Sequence, residues 1–360
     1  MKIAFHPKLL DCLPTYNRAQ FGKDLASGIT VGVLALPLAM AFAIASGCSP
    51  AAGIWTAIVA GFITSACGGS RVQIGGPTGA FIPIIYGIVA MHGFANLMGA
   101  TMLAGIFLLA MGIARMGQLI RFIPVTVVIG FTNGIAVVIF LAQLKDFFGL
   151  QIDNLPAEFF ARIKTLAANA HTVDLPTLAL ATACFVLLLS YNRLAQRFAL
   201  LRRAPGPLVV LIVGTLAAFV FDLPVETIGS RFNGIPQELP NFGFPSVSVH
   251  DFGKLISPAI TIALLGAIES LLSARVADSQ IDDRHDPNQE LIAQGLSNIA
   301  APLFGGFAAT GAIARTTTNV KTGGRTPIAG IIHAVVLLGI VLIAAPLASY
   351  VPLATLSAIV

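Results

Sequence analysis

The sequence predicts an all-α polytopic membrane protein whose two halves are inverted copies of one another, and three observations carry that prediction. The first is composition: of 360 residues, 56% are hydrophobic and only 10% charged, with a mean hydropathy of +0.87, well outside the range of a soluble domain. The second is the placement of the 21 basic residues among the segments that join the apolar runs. The third is a repeat: FGKDLASGIT at Phe21–Thr30 returns as FGKLISPAIT at Phe252–Thr261, with five identities in ten.

A helix needs about 20 apolar residues to cross about 30 Å of hydrocarbon. In chain order, residues 1–25 are polar and lack the apolar core and small-residue cleavage site of a signal peptide, so they read as a cytoplasmic N-terminal segment. Seven apolar runs follow, at 26–46, 51–67, 78–91, 95–114, 124–144, 175–191 and 205–221, and make up a first repeat over 26–221. Residues 222–256 form an outside connector. Runs at 257–275, 289–306, 311–321, 325–346 and from 352 onward make up a second repeat over 257–360, which is incomplete. If the chain crosses once per run from a cytoplasmic N-terminus, the outside receives only Lys145, Arg162, Lys164, Arg231 and Lys254. Arg315 falls in no loop, and the other fifteen of the 21 basic residues lie inside, as the positive-inside rule requires. The net charge of +5 therefore reads as topology and contact with anionic lipid, not as a nucleic-acid footprint. Seven spans separate the two FGK copies. An odd number starts the second copy on the opposite side, which defines an inverted-topology repeat.

The stretch GGPTGAF interrupts the apolar pattern. Its Thr78-Gly79-Ala80 returns as Thr310-Gly311-Ala312, 232 residues later against 231 for the FGK pair, so a single-residue gap reconciles the two. Irregular backbone cannot face lipid, but it can line a cavity inside the protein. Gly75, Gly76 and Pro77 would carry an extended segment to the bilayer midplane, where a short helix runs from about Thr78 to about Met91 with the threonine capping its first amides. Gly305, Gly306, Thr310 and Gly311 precede the second short helix, which ends near Lys321. Two helix N-termini meeting at the midplane, each with free N–H groups and about half a positive charge, make an anion site.

Two charged residues bear on that site. Arg315 falls one turn into the second short helix, where a cation is costly unless it faces an aqueous cavity or a partner; the alternative is a structural pair with a buried acid or a carbonyl. Glu269, in LLGAIESLLSA, is the only one of the 16 acids near a span centre. Burial disfavours its charged form and a nearby arginine favours it, so it is a candidate for proton coupling; the alternative is a permanent counter-ion to Arg315. Ser273, at i+4, shares its face, although a serine there more often packs or bonds back to its own helix. His92, His171, His250 and His285 fall in loops or at span ends, His333 reads as a satisfied packing residue, and Thr132 and Asn133 as interhelical hydrogen-bonding groups. The acidic segment Ala277–Glu290, with Asp278, Asp282, Asp283, Asp286 and Glu290, reads as a solvated connector. Cys12, Cys48, Cys67 and Cys184 fit no metal or disulfide spacing.

The residues also carry a family resemblance. LALPLAMAFAIASGCSPAAGIW (Leu34–Trp55) resembles the first-span signature of the SulP anion permeases. LLGAIESLLSARVADS (Leu264–Ser279), the stretch Asn288–Gly330 and the terminal LATLSAIV resemble that family's second half. The resemblance covers essentially the whole chain. It implies the seven-plus-seven inverted-repeat transporter fold of the uracil permeases, divided into a mobile core domain and a gate domain. It also implies a substrate held between the third and tenth segments, with an acid on the eighth taking part in coupling. Family members continue through two further segments and usually a cytoplasmic domain related to anti-sigma-factor antagonists, so a chain ending at Val360 inside an apolar run is expected to be a piece of a longer one.

Three functions follow. The first is secondary active transport of sulfate, bicarbonate, chloride or a dicarboxylate. The second is nucleobase–proton symport, which Arg315 disfavours because a neutral base needs hydrogen-bonding readers and stacking aromatics, neither evident at the short-helix starts. The third is an anion channel, which a lone buried acid disfavours. No enzyme is expected, since no nucleophile–base set or cofactor motif occurs. The candidate substrate residues are Thr78, Gly79, Ala80, Phe81, Gly311, Ala312, Ala314, Arg315 and Thr316, and the candidate coupling residues Glu269 and Ser273. No metal or cofactor is expected beyond a proton or sodium as coupling ion. The expected partners are a small anion and the lipid bilayer, and the expected assembly is a homodimer in a bacterial inner membrane.

Overall fold

The start of the first long helix is set by a cap, not by hydropathy. Asn17 accepts the Gln20 N–H at 3.0 Å and donates its own N–H to Gln20 Oε1 at 3.2 Å. This reciprocal cap begins the first long helix at Arg18, well before the apolar run at 26–46. The computed structural model describes residues 5–118, 125–152, 155–156, 158–197, 206–233, 240, 242–246 and 252–359. Lys2, Arg121, Arg202 and Arg203, four of the fifteen basic residues placed inside, together with His250 and the Thr132 side chain, lie outside the described set.

In chain order the elements are α1 (Lys8–Cys12), α2 (Arg18–Ala45), α3 (Pro50–Cys67), strand β1 (Gly75–Gly76), a 3-10 turn over Gly79–Phe81, α4 (Ile82–Ile113), α5 (Val125–Phe148), α6 (Phe159–Ala168), α7 (Leu175–Arg197), α8 (Gly206–Val220) and α9 (Ile228–Phe232). The second half contains α10 (Phe252–Ile281), α11 (Pro287–Leu303), strand β2 (Thr310–Gly311), α12 (Ile313–Lys321), α13 (Pro327–Ala348) and α14 (Leu353–Ile359). Among the described residues, Arg18–Ala45, Pro50–Cys67, Gly79–Ile113 and Gly253–Ile281 have the length and apolarity of membrane spans. The third of these is two segments, because Gly93 breaks it with φ 79° and ψ 169°. A short half-helix thus runs from Gly79 to His92, with a full segment after it.

α2, α3, α4, α10, α11 and α13 pack on one another, with α12 against α2 and α10, while α5, α7, α8 and α14 form a second group. This is the core-and-gate division of the seven-plus-seven fold. α2 borders both groups, touching α5, α8 and α14, and α4 and the Gly79–Phe81 turn also touch α5.

Several polar residues sit elsewhere than expected. Glu290 is not solvated but fully buried, because Asp286 caps α11 through Asn288 N (2.9 Å) and Gln289 N (3.1 Å) and thereby pulls the end of the acidic segment into the fold. His285 bonds Asp278 at 2.6 Å instead of facing water. Arg162, expected in an exposed loop, is buried and stacks 4.7 Å above the Tyr86 ring. Asn133 is exposed. His333 is buried with neither ring nitrogen hydrogen-bonded; it lies against the Gly61 backbone, where a Cβ would stand 3.1 Å from the ring.

Asp24 is buried near the start of α2 and draws the chain together. It accepts the Arg325 N–H at 2.9 Å, the Thr326 N–H at 3.4 Å and the Tyr16 hydroxyl at 3.2 Å. The Tyr16 hydroxyl is pushed up to about 12, first by burial and then by the Asp24 charge, so it remains a donor at every physiological pH. Asp24→Ala strands these donors and is expected to cost about 3 kcal/mol of stability. Thermal unfolding in detergent reads the loss, and an unchanged midpoint would show that water satisfies the donors equally well.

Candidate functional site

The site is organised by a two-residue β-ribbon. β1 and β2 pair antiparallel, Gly75 opposite Gly311 and Gly76 opposite Thr310, so the extended lead-ins of the two short helices satisfy each other's backbone groups where water is absent. Ser270 on α10 fastens the ribbon, bonding Thr310 Oγ1 at 2.7 Å and the Gly311 N–H at 3.0 Å. Ile74 ties the halves together again. Its carbonyl accepts the Ala312 N–H at 2.8 Å, and its N–H donates to Thr316 Oγ1 at 3.0 Å.

Beyond the ribbon the two helices start side by side. Gly79 and Ala80 on one, and Ile313, Ala314 and Arg315 on the other, have backbone N–H groups with no acceptor among the described residues. A cavity of about 310 Å³ lies at these starts, at the lower end of the about 300–1,000 Å³ usual for small-ligand sites. Thr78, Gly79 and Ala80 line it from one helix start, Ala312, Ile313, Ala314 and Arg315 from the other, and Glu269 from α10; Leu38 and Phe42 of α2 and Ala136 and Ile139 of α5 close it. Arg315 is 1% exposed, and both its terminal nitrogens lack any hydrogen-bond partner, as does Thr78 Oγ1. Free donors therefore converge on the cavity with no acceptor among the described residues. The guanidinium has neither a carbonyl nor Glu269 as partner, so Glu269 is not its counter-ion.

Of the candidate residues, Thr78, Gly79, Ala80, Ala312, Ala314, Arg315 and Glu269 meet at the cavity. Four do not. Phe81 turns into the apolar core of α4 and α10. Gly311 is occupied in the ribbon, with the Gln73 amide so close that a Cβ would stand 2.2 Å from Nε2. Thr316 is engaged with Ile74, and Ser273 is fully buried with its hydroxyl 3.4 Å from Thr316. Thr78 makes no capping bond to its own helix, contrary to expectation, and its Oγ1 is unpaired. The absence of aromatics at the helix starts is also corrected: the Phe42 ring stands 3.6 Å from where a Cβ of Gly79 would lie. Leu38, Phe42, Ala136 and Ile139 were missed. The spacing of Leu38 and Phe42, one turn apart just after Pro37, was the only signal for them.

A larger cavity of about 710 Å³ lies beside α5, α7 and α14, but its arginine is already paired. Arg231 pairs with Asp146 at 2.9 Å and with Glu226, and Asp174 caps α7 through the Thr177 N–H at 3.0 Å.

Residues 21–360 match the profile of the family described as Sulfate permease family. The Bacillus subtilis protein YvdB, provisionally named a sulfate transporter, is 44% identical over 345 residues, covering 96% of this chain and 64% of YvdB. The bicarbonate transporter BicA of Picosynechococcus is 34% identical over 354 residues, covering 93% of this chain and 60% of BicA. The chain thus spans somewhat less than two thirds of the length of these relatives. Among solved structures, the transmembrane domain of a cyanobacterial BicA superposes with a TM-score of 0.87 at 32% identity, covering 96% of this chain and 87% of that one. The murine anion transporter Solute Carrier 26 family member A9 shares the fold, with a TM-score of 0.85 at 20% identity over 98% of this chain and 61% of that one.

Proposed function

Because this chain belongs to the sulfate permease family, we propose that it is a secondary active transporter of a small anion, either sulfate, bicarbonate or a dicarboxylate, driven by a proton or sodium gradient. Sulfate and bicarbonate are the anions for which its matched relatives are named. The observation that carries the reading is Arg315, buried and without a partner at a cavity where two helices begin. An unpaired buried cation costs several kcal/mol, and an anion in the cavity would be the missing partner to the guanidinium and the free amides together. A neutral nucleobase would leave that charge unmatched.

Transport is by alternating access. The core, carrying both short helices, moves past the gate helices α5, α7, α8 and α14, and the bound anion removes the cost of moving a naked cation through an apolar interface. Glu269 shares the cavity wall and couples the step by taking up a proton as the anion binds. The protein acts in the bacterial inner membrane with its N-terminus cytoplasmic, as a homodimer.

The test is uptake into proteoliposomes of radiolabelled sulfate, bicarbonate and fumarate, with and without an inward proton or sodium gradient. Gradient-driven uptake of one anion is expected. Uptake of none by folded protein would overturn the reading in favour of a nucleobase carrier, whereas non-saturating flux would indicate a channel. Glu269→Gln is expected to retain anion exchange while losing stimulation by an inward proton gradient. A variant with the wild-type pH profile would remove Glu269 from coupling.

A further inference from the structure

We propose that Glu290 is a positioning residue for the anion cavity, acting through Gln73 on the ribbon that sets both helix starts; this rests on the transporter reading above. Glu290 is, with Asp24, fully buried, and among the described residues no lysine or arginine bonds to it. Its Oε2 accepts the Gly69 N–H at 3.0 Å, and its Oε1 accepts Gln73 Nε2 at 2.8 Å and Gln294 Nε2 at 3.1 Å. In each of these three bonds Glu290 is the acceptor. The bond to Gln73 spans 217 residues, joining the second half of the chain to the approach of the first short helix.

Gln73 passes that constraint to the cavity in two ways. Its amide lies flat against Gly311, closer than any side-chain carbon there would allow. Its backbone continues into Ile74, which holds Ala312 at 2.8 Å and Thr316 at 3.0 Å, the residues on either side of Ile313, Ala314 and Arg315. Two turns along α11, Asn298 grips the other lead-in, accepting the Ala309 N–H and donating to the Ala309 carbonyl, both at 2.9 Å. The polar face of α11 is thus a fixed rail for both lead-ins, and Glu290 is its anchor at the cytoplasmic end. A loose ribbon would let the donors that converge on the anion splay apart, which weakens binding without removing any group that touches it.

The test uses the full chain with Gln73→Met, Glu290→Gln and both together. Gln73→Met breaks the link while leaving Glu290 its Gly69 and Gln294 donors, so it preserves the fold even if Glu290→Gln does not. Two readouts are taken: uptake of radiolabelled sulfate and bicarbonate into proteoliposomes, and hydrogen exchange of the backbone at 73–79 and 310–316. Each single variant is expected to raise KM about tenfold, as expected for losing a hydrogen bond to a buried charge, with a smaller change in Vmax. Exchange should accelerate in both segments, and the double variant should be no worse than the more severe single one. Wild-type exchange at 310–316 in Gln73→Met would overturn the proposal, as would a fall in Vmax at unchanged KM. If the wild-type protein takes up neither of these anions nor fumarate, the transport reading fails, and the exchange measurement still decides the role of Glu290.

Discussion

Arg315→Ala should reduce anion uptake by at least about a hundredfold while leaving the protein no less stable. The two halves of that expectation have one physical source. Arg315 is 1% exposed, and its terminal nitrogens bond to nothing, so in the empty protein it is a cost, not a support. Removing one partner of an ion pair destabilises because it strands the other; here no other is stranded, and an apolar residue of similar length is expected to be neutral or stabilising. Arg315→Met is therefore the sharper form of the test, since it fills the space that alanine leaves open. A structural arginine would behave in the opposite way, with a lowered melting temperature and transport lost only in proportion to the protein unfolded. Arg315→Lys should fall between, keeping the charge but losing the planar fork that matches an oxyanion with two bonds. Retained wild-type uptake in Arg315→Met would exclude the guanidinium from the site.

What the sequence allowed to be read, and what it did not, follows contrast. The half-helices and the extended lead-in to the first were legible because Gly75, Gly76, Pro77 and Thr78 are conspicuous in an apolar chain, and Arg315 because it alone among the basic residues fitted no loop; the pairing of the two lead-ins into a ribbon was not. The lining residues Leu38, Phe42, Ala136 and Ile139 were not, because an apolar side chain in a chain that is 56% hydrophobic carries no mark of which face it occupies. Orientation was lost for the same reason. Phe81 and Thr316 adjoin true lining residues in sequence, but successive residues on a helix point about 100° apart, and spacing alone could not send Phe81 into the core or Thr316 to Ile74. Glu290 was concealed by its neighbours: it ends an acidic run that is otherwise partly exposed, and only the capping of α11 by Asp286 brings it inside.

Gly76→Ala is the second change expected to be severe, and it acts on Arg315 without touching the charge. Gly76 has φ +151°, a region closed to side chains, so alanine there costs of order 1–3 kcal/mol in backbone strain. Its new Cβ would also stand 2.4 Å from Arg315 Nη1. The backbone at Gly76 is held by pairing with Thr310, whereas the guanidinium has no partner to hold it, so the arginine is the group that yields. Uptake should therefore show a KM raised at least about tenfold, together with a lowered melting temperature. The two effects separate in a cycle with Arg315→Met. In the Arg315→Met background the displaced charge is absent, so Gly76→Ala should leave the residual uptake unchanged while its strain still lowers the melting temperature. If Gly76→Ala reduces uptake by the same factor with and without the arginine, the glycine shapes the cavity through the ribbon alone, and the close approach of Gly76 and Arg315 has no part in holding the anion.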